Sequence, residues 1–374
     1  MIAAEGTNKP LKKKLTIMQV LPRMHVGGVE RGTLEFSIYL KQQGHRPIVV
    51  SHGGPLVDEL QRNGIKHIQL NVAKKSLLSL LSIKKIRKII IEQGVEVVHA
   101  RSRIPAWLCY WALKNMQQRP CFITTLHGLH SVNKYSSVMA RGDRVIAVSA
   151  TAKAYLNEHF TAQLKHDPVL IYRGVDAQFQ YGYTNRHQWL QNMCEQFNGF
   201  NAWKKVLLPG RLSAVKGAEH LLSWLTGAPA ATRLLLTACP DESNYSQNFH
   251  KKLQALGLDE KVVWLGVVRA MPDLYAAVDV VVSTNNKPES FGRTVLEALT
   301  VGKPVVAFDH GGVSEIMNRL YPEGLVDNGD DMALAEKINQ FLQHAPTVKP
   351  HDEFQNTSMF EHTLALYQEA LGQT

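Results

Sequence analysis

Cysteine is scarce. The four residues, Cys109, Cys121, Cys194 and Cys239, are scattered through 374 positions. None belongs to a Cys-x-x-Cys pair, which removes the usual zinc spacing. Nothing suggests a disulfide framework, so a reducing compartment fits better. Long apolar runs are missing too: no stretch approaches the ~20 residues of a membrane span. The N-terminus lacks the apolar core of a secretory signal. The expectation is a cytoplasmic protein, soluble or peripheral on the inner face of the membrane. Low-complexity tracts and repeats of solenoid period are absent. Anionic charge is in short supply, with 32 Asp and Glu against 42 Lys and Arg, a formal net charge of +10. That balance favours anionic partners, whether phosphorylated ligands, membrane or nucleic acid. The last needs a reading motif beside the charge. The chain has no zinc-finger spacing, no aromatic RNA-binding signature and no long basic run, so no nucleic-acid partner is expected.

What is present is an alternation. Short apolar runs such as Leu15-Thr-Ile-Met-Gln-Val-Leu21, Ile48-Val-Val-Ser51, Val95-Glu-Val-Val98, Phe122-Ile-Thr-Thr125 and Val145-Ile-Ala-Val148 are separated by stretches of helical periodicity. Apolar strands interleaved with helices indicate a parallel sheet covered on both faces. The plan repeats at Lys205-Val-Leu-Leu208, Arg233-Leu-Leu-Leu-Thr237, Val280-Val-Val282 and Pro304-Val-Val-Ala307. The spacing predicts a basic arm over 1–14 and a Rossmann-like domain over 15–175. A second such domain covers 176–350, its first part a polar, aromatic linker and helix. A closing helix lies within 354–374. Two doubly wound domains in one chain are expected to face a cleft, and ligands of such sheets bind outside the carboxyl ends of the strands.

The residues just after strands are therefore the ones to inspect. In Leu208-Pro-Gly-Arg-Leu-Ser-Ala-Val-Lys-Gly217 a strand ends in a glycine turn, and Arg211 and Lys216 follow. Isolated, the two would be surface cations. In a strand-turn-helix setting they form a diphosphate site, Arg as a planar fork and Lys as a point charge. In Lys287-Pro-Glu-Ser-Phe-Gly-Arg-Thr-Val-Leu-Glu-Ala-Leu299, Glu289 sits in a loop and Ser290 is positioned to cap the next helix. Gly292 lets a ligand approach the free amides, and Glu297 lies further along the helix. Carboxylates suit paired sugar hydroxyls.

Together these stretches resemble family 4 of the retaining glycosyltransferases, whose pattern is two glutamates separated by seven residues. The likeness continues through Gly302-Lys-Pro-Val-Val and Gly311-Gly-Val-Ser-Glu-Ile316. In the first half it takes in Gly27-Gly-Val-Glu-Arg31, Val98-His-Ala-Arg-Ser-Arg-Ile-Pro105, Thr125-Leu-His-Gly128 and Tyr172-Arg-Gly-Val-Asp176, with Arg173 where the family usually has Asn. The Lys-Pro-Glu-Ser-Phe-Gly-Arg stretch looks most like enzymes of lipopolysaccharide-core synthesis.

The resemblance implies a GT-B fold, α/β, with the closing helix returning to the first domain. It implies transfer of a sugar from a nucleoside diphosphate to a glycan or lipid-linked acceptor, with no cofactor. Arg211 and Lys216 would hold the diphosphate, Glu289 the donor sugar and Glu297 the ribose. Ser290, Phe291, Gly292 and Arg293 would add donor contacts, mainly through amides. His127 would meet the sugar from the other domain, and Gly27 and Gly28 would let backbone approach the transferred group. Arg31, Arg101 and Arg103 would face the acceptor. No Asp-x-Asp occurs, the pattern by which metal-dependent glycosyltransferases of the other common fold hold their ion, so metal-independent catalysis is expected.

Residues 74–91 form a basic amphipathic stretch that could lie on an anionic membrane or form a core helix with a solvated basic face. Three rivals remain. A nucleotide-sugar epimerase would share the phosphate site but need no acceptor. A glycan phosphorylase would need a lysine-bound pyridoxal phosphate. A basic nucleic-acid-binding protein would ignore nucleotide sugars.

Overall fold

The structure, a computed structural model, describes residues 13–25, 27–73 and 79–372. The expected arm over 1–14 lies almost wholly outside the described residues, as do the first five positions of the basic stretch 74–91. The chain divides into two compact units. One comprises Met1–Ile146, Leu156–Val169 and Phe360–Thr374, the other Ala147–Tyr155 and Leu170–Met359.

The first sheet is built in the order β1 (Thr16–Val20), α1 (Gly28–Gln42), β2 (Arg46–Ser51), α2 (Val57–Arg62), β3 (Lys66–Gln69), α3 (Ser79–Gln93), β4 (Val97–Ala100), α4 (Arg103–Leu113), β5 (Cys121–Leu126), β6 (Arg144–Ala147), α5 (Ala150–His159) and β7 (Val169–Leu170). Its spatial order is β3-β2-β1-β4-β5-β6-β7, and the pairings from β3 through β5 are parallel. Ile17, Met18, Val20, Val97 and Val98 are fully buried, as strands covered on both faces must be.

The second unit contains α6 (His187–Gln196), β8 (Lys204–Leu208), α7 (Leu222–Gly227), β9 (Thr232–Leu236), α8 (Asn244–Ala255), β10 (Val262–Trp264), α9 (Met271–Ala277), β11 (Val280–Ser283), α10 (Arg293–Val301), β12 (Val305–Phe308), α11 (Gly311–Leu320), β13 (Leu325–Val326) and α12 (Asp331–His344). The sheet runs β10-β9-β8-β11-β12-β13 and is parallel throughout. Both sheets reverse strand order once, between β1 and β4 and between β8 and β11. At such a switch point adjacent crossovers leave in opposite directions and open a crevice at the strands' carboxyl ends.

The last helix is α13 (Asn356–Ala370). From Phe360 onward it belongs to the first unit. Phe360 packs 5.4 Å from the ring centroids of Phe36 and Tyr39, and the Tyr367 hydroxyl lies 2.5 Å from His99 Nδ1. Among the described residues no helix is long and apolar enough to cross a membrane.

Candidate active site

The site in the second unit is assembled from the loops that leave β8 and β11. After β8, Gly210 turns at φ +102°, a region open to glycine but strained for other residues. Arg211 follows, exposed, and the chain runs to Lys216. The loop is pinned from the β11 side. Asn286 donates from its backbone to the Val215 carbonyl (2.8 Å) and from Nδ2 to the Ala214 carbonyl (2.7 Å). The Thr284 hydroxyl donates to the Lys216 carbonyl at 2.9 Å. Gly217 sits at φ +62°, and a Cβ there would lie 2.1 Å from the Thr284 carbonyl oxygen. Only glycine allows the two loops this approach.

The consequence is a contact that no local sequence pattern announces. Lys216 Nζ lies 2.9 Å from Glu289 Oε1, with side chains 17% and 26% exposed. The expected diphosphate cation and the expected sugar carboxylate meet at the switch point. Gly311 and Gly312 hold the Glu289 loop from its other side. A Cβ on Gly312 would lie 2.5 Å from Phe291 Cα, and the Gly312 amide donates to the Glu289 carbonyl at 2.8 Å.

The helix that follows differs from expectation at its start. Ser290 does not cap it. The cap position is Gly292 at φ +94°, and α10 begins at Arg293. Gly292 is crowded by Val313, whose Cγ2 would be 2.8 Å from an added Cβ. The Phe291 side chain is buried against Phe354, so this residue offers a ligand its backbone alone. Glu297 is only 3% exposed. It accepts from Arg293 Nε at 2.5 Å and from the Tyr275 hydroxyl at 3.1 Å. A carboxylate accepts about four hydrogen bonds, so both oxygens retain capacity for a diol. Burial, and then the Glu297 charge, push the Tyr275 phenol well above its ordinary pKa, which keeps it a donor.

In the first unit the expected residues stand at the carboxyl ends of β1, β4 and β5. Gly27 is extended and caps α1, which begins at Gly28. His127 directly follows β5 and is half-buried. Arg31 is engaged by Glu59 at 2.9 Å and Glu35 at 3.2 Å. Arg101 is buried: its Nε donates to Gln19 Oε1 at 3.0 Å and its guanidinium lies over Phe36. Arg103 donates to the Ser136 hydroxyl and stacks on Tyr135. Burial, aided by the Arg101 charge, holds His99 well below its usual pKa.

Sequence reasoning passed over Gln19, Tyr275, Thr284 and Asn286. Gln19 carried a signal, a lone amide inside an apolar strand. Tyr275 carried none, because its partner Glu297 is 22 residues away. Among the described residues no group of three or more His, Cys, Asp or Glu side chains is set to hold a metal ion.

Two parallel doubly wound sheets in tandem, with a cation and a carboxylate joined at the second switch point, describe a GT-B glycosyltransferase. The family models agree. Glycosyltransferase Family 4 matches residues 26–179 and Glycosyl transferases group 1 matches residues 195–356. A glycosyltransferase from Rickettsia africae ESF-5 is 30% identical, with a TM-score of 0.81, and the match covers 96% of this chain and all of that one. The lipopolysaccharide core biosynthesis mannosyltransferase LpsB of Rhizobium meliloti (strain 1021) is 32% identical over 222 residues, 56% of this chain and 58% of that protein. Anabaena HepE, solved in complex with UDP-glucose, shares the fold with a TM-score of 0.72 at 22% identity, over 95% of each chain. The chain belongs to glycosyltransferase family 4, and it is a glycosyltransferase.

Proposed function

We propose that the protein is a retaining, metal-independent hexosyltransferase. It moves a sugar from a nucleoside diphosphate to a glycan or lipid-linked acceptor in the synthesis of a bacterial envelope polysaccharide or lipopolysaccharide. The observation that carries this reading is the Lys216–Glu289 contact at the β8/β11 switch point. A diphosphate held by Arg211 and Lys216 places its sugar against Glu289, while Glu297 accepts the ribose hydroxyls. As the bond from the anomeric carbon to the phosphate oxygen breaks, its electrons pass to the diphosphate. Fixed cations and loop amides stabilise that charge. The acceptor oxygen attacks from the face the phosphate leaves, and the phosphate takes its proton. The complex of HepE with UDP-glucose and the core-mannosyltransferase relative favour the donor class and the envelope role. The missing Asp-x-Asp favours metal independence, with the two side-chain cations in the metal's electrostatic role.

A membrane-facing role for the first unit draws support from α3. Ile86 and Ile90 are buried, while Lys84, Lys85 and Lys88 are exposed and Leu81 and Ile91 are 55% and 66% exposed. The helix is thus both core and amphipathic. Trp111 of α4, 44% exposed and stacked on Trp107, adds an interfacial aromatic.

Calorimetry with UDP-, GDP- and ADP-sugars in EDTA tests the donor reading, with the Arg211→Ala/Lys216→Ala double variant alongside. One nucleotide class should bind the wild type and not the variant. Equal binding to both proteins, or binding that requires a divalent ion, refutes it.

A further inference from the structure

His220 belongs to no family motif named above, yet it sits at the hub of the Lys216 loop. It lies in the turn Ala218–Leu221 that follows Gly217. Its Nδ1 is 2.6 Å from Asp331 Oδ1, and its Nε2 is 2.6 Å from Asn286 Oδ1. The orientation of the Asn286 amide is not free. Its other end lies 2.7 Å from the Ala214 carbonyl, which can only accept, so that end is Nδ2. The atom facing His220 is then Oδ1, also an acceptor. Asp331 presents a carboxylate oxygen. Both ring nitrogens are therefore engaged, one by the start of α12 and one by the Asn286 amide, so the ring links two separate elements.

We infer that His220 is a positioning residue that locks the Lys216 loop by bridging Asp331 and the Asn286 amide. The chain of contacts is short. Asp331 at the start of α12 holds the ring, the ring fixes the Asn286 amide, and Asn286 fixes Ala214 and Val215 beside Lys216. The ring also stands edge-on to Phe308 of β12, 5.0 Å between centroids. Other charges near the ring are already committed. Glu219 bonds Tyr245 and pairs with Lys252. Asp330 accepts from the amides of Met332 and Ala333. Lys216 pairs with Glu289. Without the ring, the Asn286 amide is free to turn and release the Ala214 carbonyl, and the loop that carries Lys216 loses its register. Donor affinity should then fall through the loss of a group that does not touch the donor. This inference rests on the donor reading above only for its functional consequence.

The test has two readouts. Hydrogen exchange across residues 213–217, compared with wild type at one pH, should rise in His220→Ala and in Asp331→Ala, which removes the anchor of the ring. Loop exchange unchanged in both variants overturns the lock. Calorimetry then uses UDP-glucose, GDP-mannose and ADP-glucose. The class that binds should weaken roughly tenfold in His220→Ala, the effect of one hydrogen bond to a charged group. The double variant His220→Ala/Asp331→Ala should bind no more weakly than His220→Ala alone, because the two act through one chain of contacts. Wild-type affinity in His220→Ala, or additive losses in the double variant, refutes the positioning role. If none of the three sugars binds wild type, the donor reading fails, while the exchange measurement still judges the lock.

Discussion

Gly217→Ala isolates the contribution of one close approach. Two costs are separable from the structure. The backbone at φ +62° costs any L-residue about 1 kcal/mol relative to glycine. The added Cβ would also stand 2.1 Å from the Thr284 carbonyl oxygen, 2.9 Å from His220 Cδ2 and 3.3 Å from Asn286 Nδ2. Backbone cannot swing aside as a side chain does, so relief to an ordinary contact needs a shift of about 1 Å between the β8 and β11 loops. That shift stretches the bonds from Thr284 to the Lys216 carbonyl and from Asn286 to Val215 and Ala214, each of which contributes about 1 kcal/mol. The sum is a loss of about 2–4 kcal/mol, or roughly 5–15 °C in the melting temperature of the second unit. The functional cost is larger, because a displacement of about 1 Å in a positioning loop can lower the rate ~100-fold. Gly257→Ala is the matched control. It has nearly the same φ, +66°, and nothing within 4 Å of its added Cβ, so it should lose about 1 kcal/mol and no donor affinity. Calorimetric melting and nucleotide-sugar titration of both variants decide the matter. Equal destabilisation of the two, or a Gly217→Ala protein that binds donor like wild type, would show that the loop approach does not set the site.

Tyr275→Phe removes one of the two donors that hold buried Glu297 and should lower second-unit stability by about 1.5–3 kcal/mol. A double-mutant cycle with Arg293→Ala should reveal coupling of at least about 0.5 kcal/mol, and strict additivity would refute a shared role. The first unit should lose stability in acid. Burial, and then the Arg103 charge, lower the pKa of His130 from its ordinary 6.5 to about 4. The folded state thus disfavours the proton that the unfolded chain accepts. The stabilisation is complete above about pH 6.5 and is lost as pH falls toward about pH 4. His130→Gln should flatten the fall in first-unit melting temperature across that window, and an unchanged slope would remove His130 as its source. Charge reversal at Lys84, Lys85 and Lys88 on α3 should abolish cosedimentation with vesicles rich in anionic lipid while leaving soluble donor binding intact. Wild-type protein that fails to sediment even at low salt would end the membrane reading.

The fold was legible because its signal is repetitive and local. Uninterrupted Val-Leu-Ile runs such as Val280-Val-Val282 can only be strands covered on both faces, and each is buried as its composition demands. Strand order was not legible, because pairing partners such as β1 and β4 are about 80 residues apart. Yet that order decides which strand ends form a crevice. The site divides in the same way. Arg211, Lys216, Glu289 and Glu297 lie on short stretches whose residue types suit their chemistry, so they could be named one by one. The ion pair between Lys216 and Glu289 spans 73 positions, and the pinning of the Lys216 loop by Thr284 and Asn286 spans about as many. Ser290 shows where a local rule loses to packing. Its side chain suits a helix cap, but the chain turns at Gly292 through φ +94°, where Val313 and Ile316 leave no room for a Cβ. The helix starts only after that glycine. Arg101 shows the same in the first unit. The family resemblance implies an Arg101 that faces the acceptor. In the structure the apolar ring of Phe36 and the amide of Gln19 take it into the interior, and that amide is itself fixed by the Thr33 carbonyl and the Ser37 hydroxyl. Residue chemistry thus fixed which side chains could act, while contacts between distant loops fixed which of them are held in position to do so.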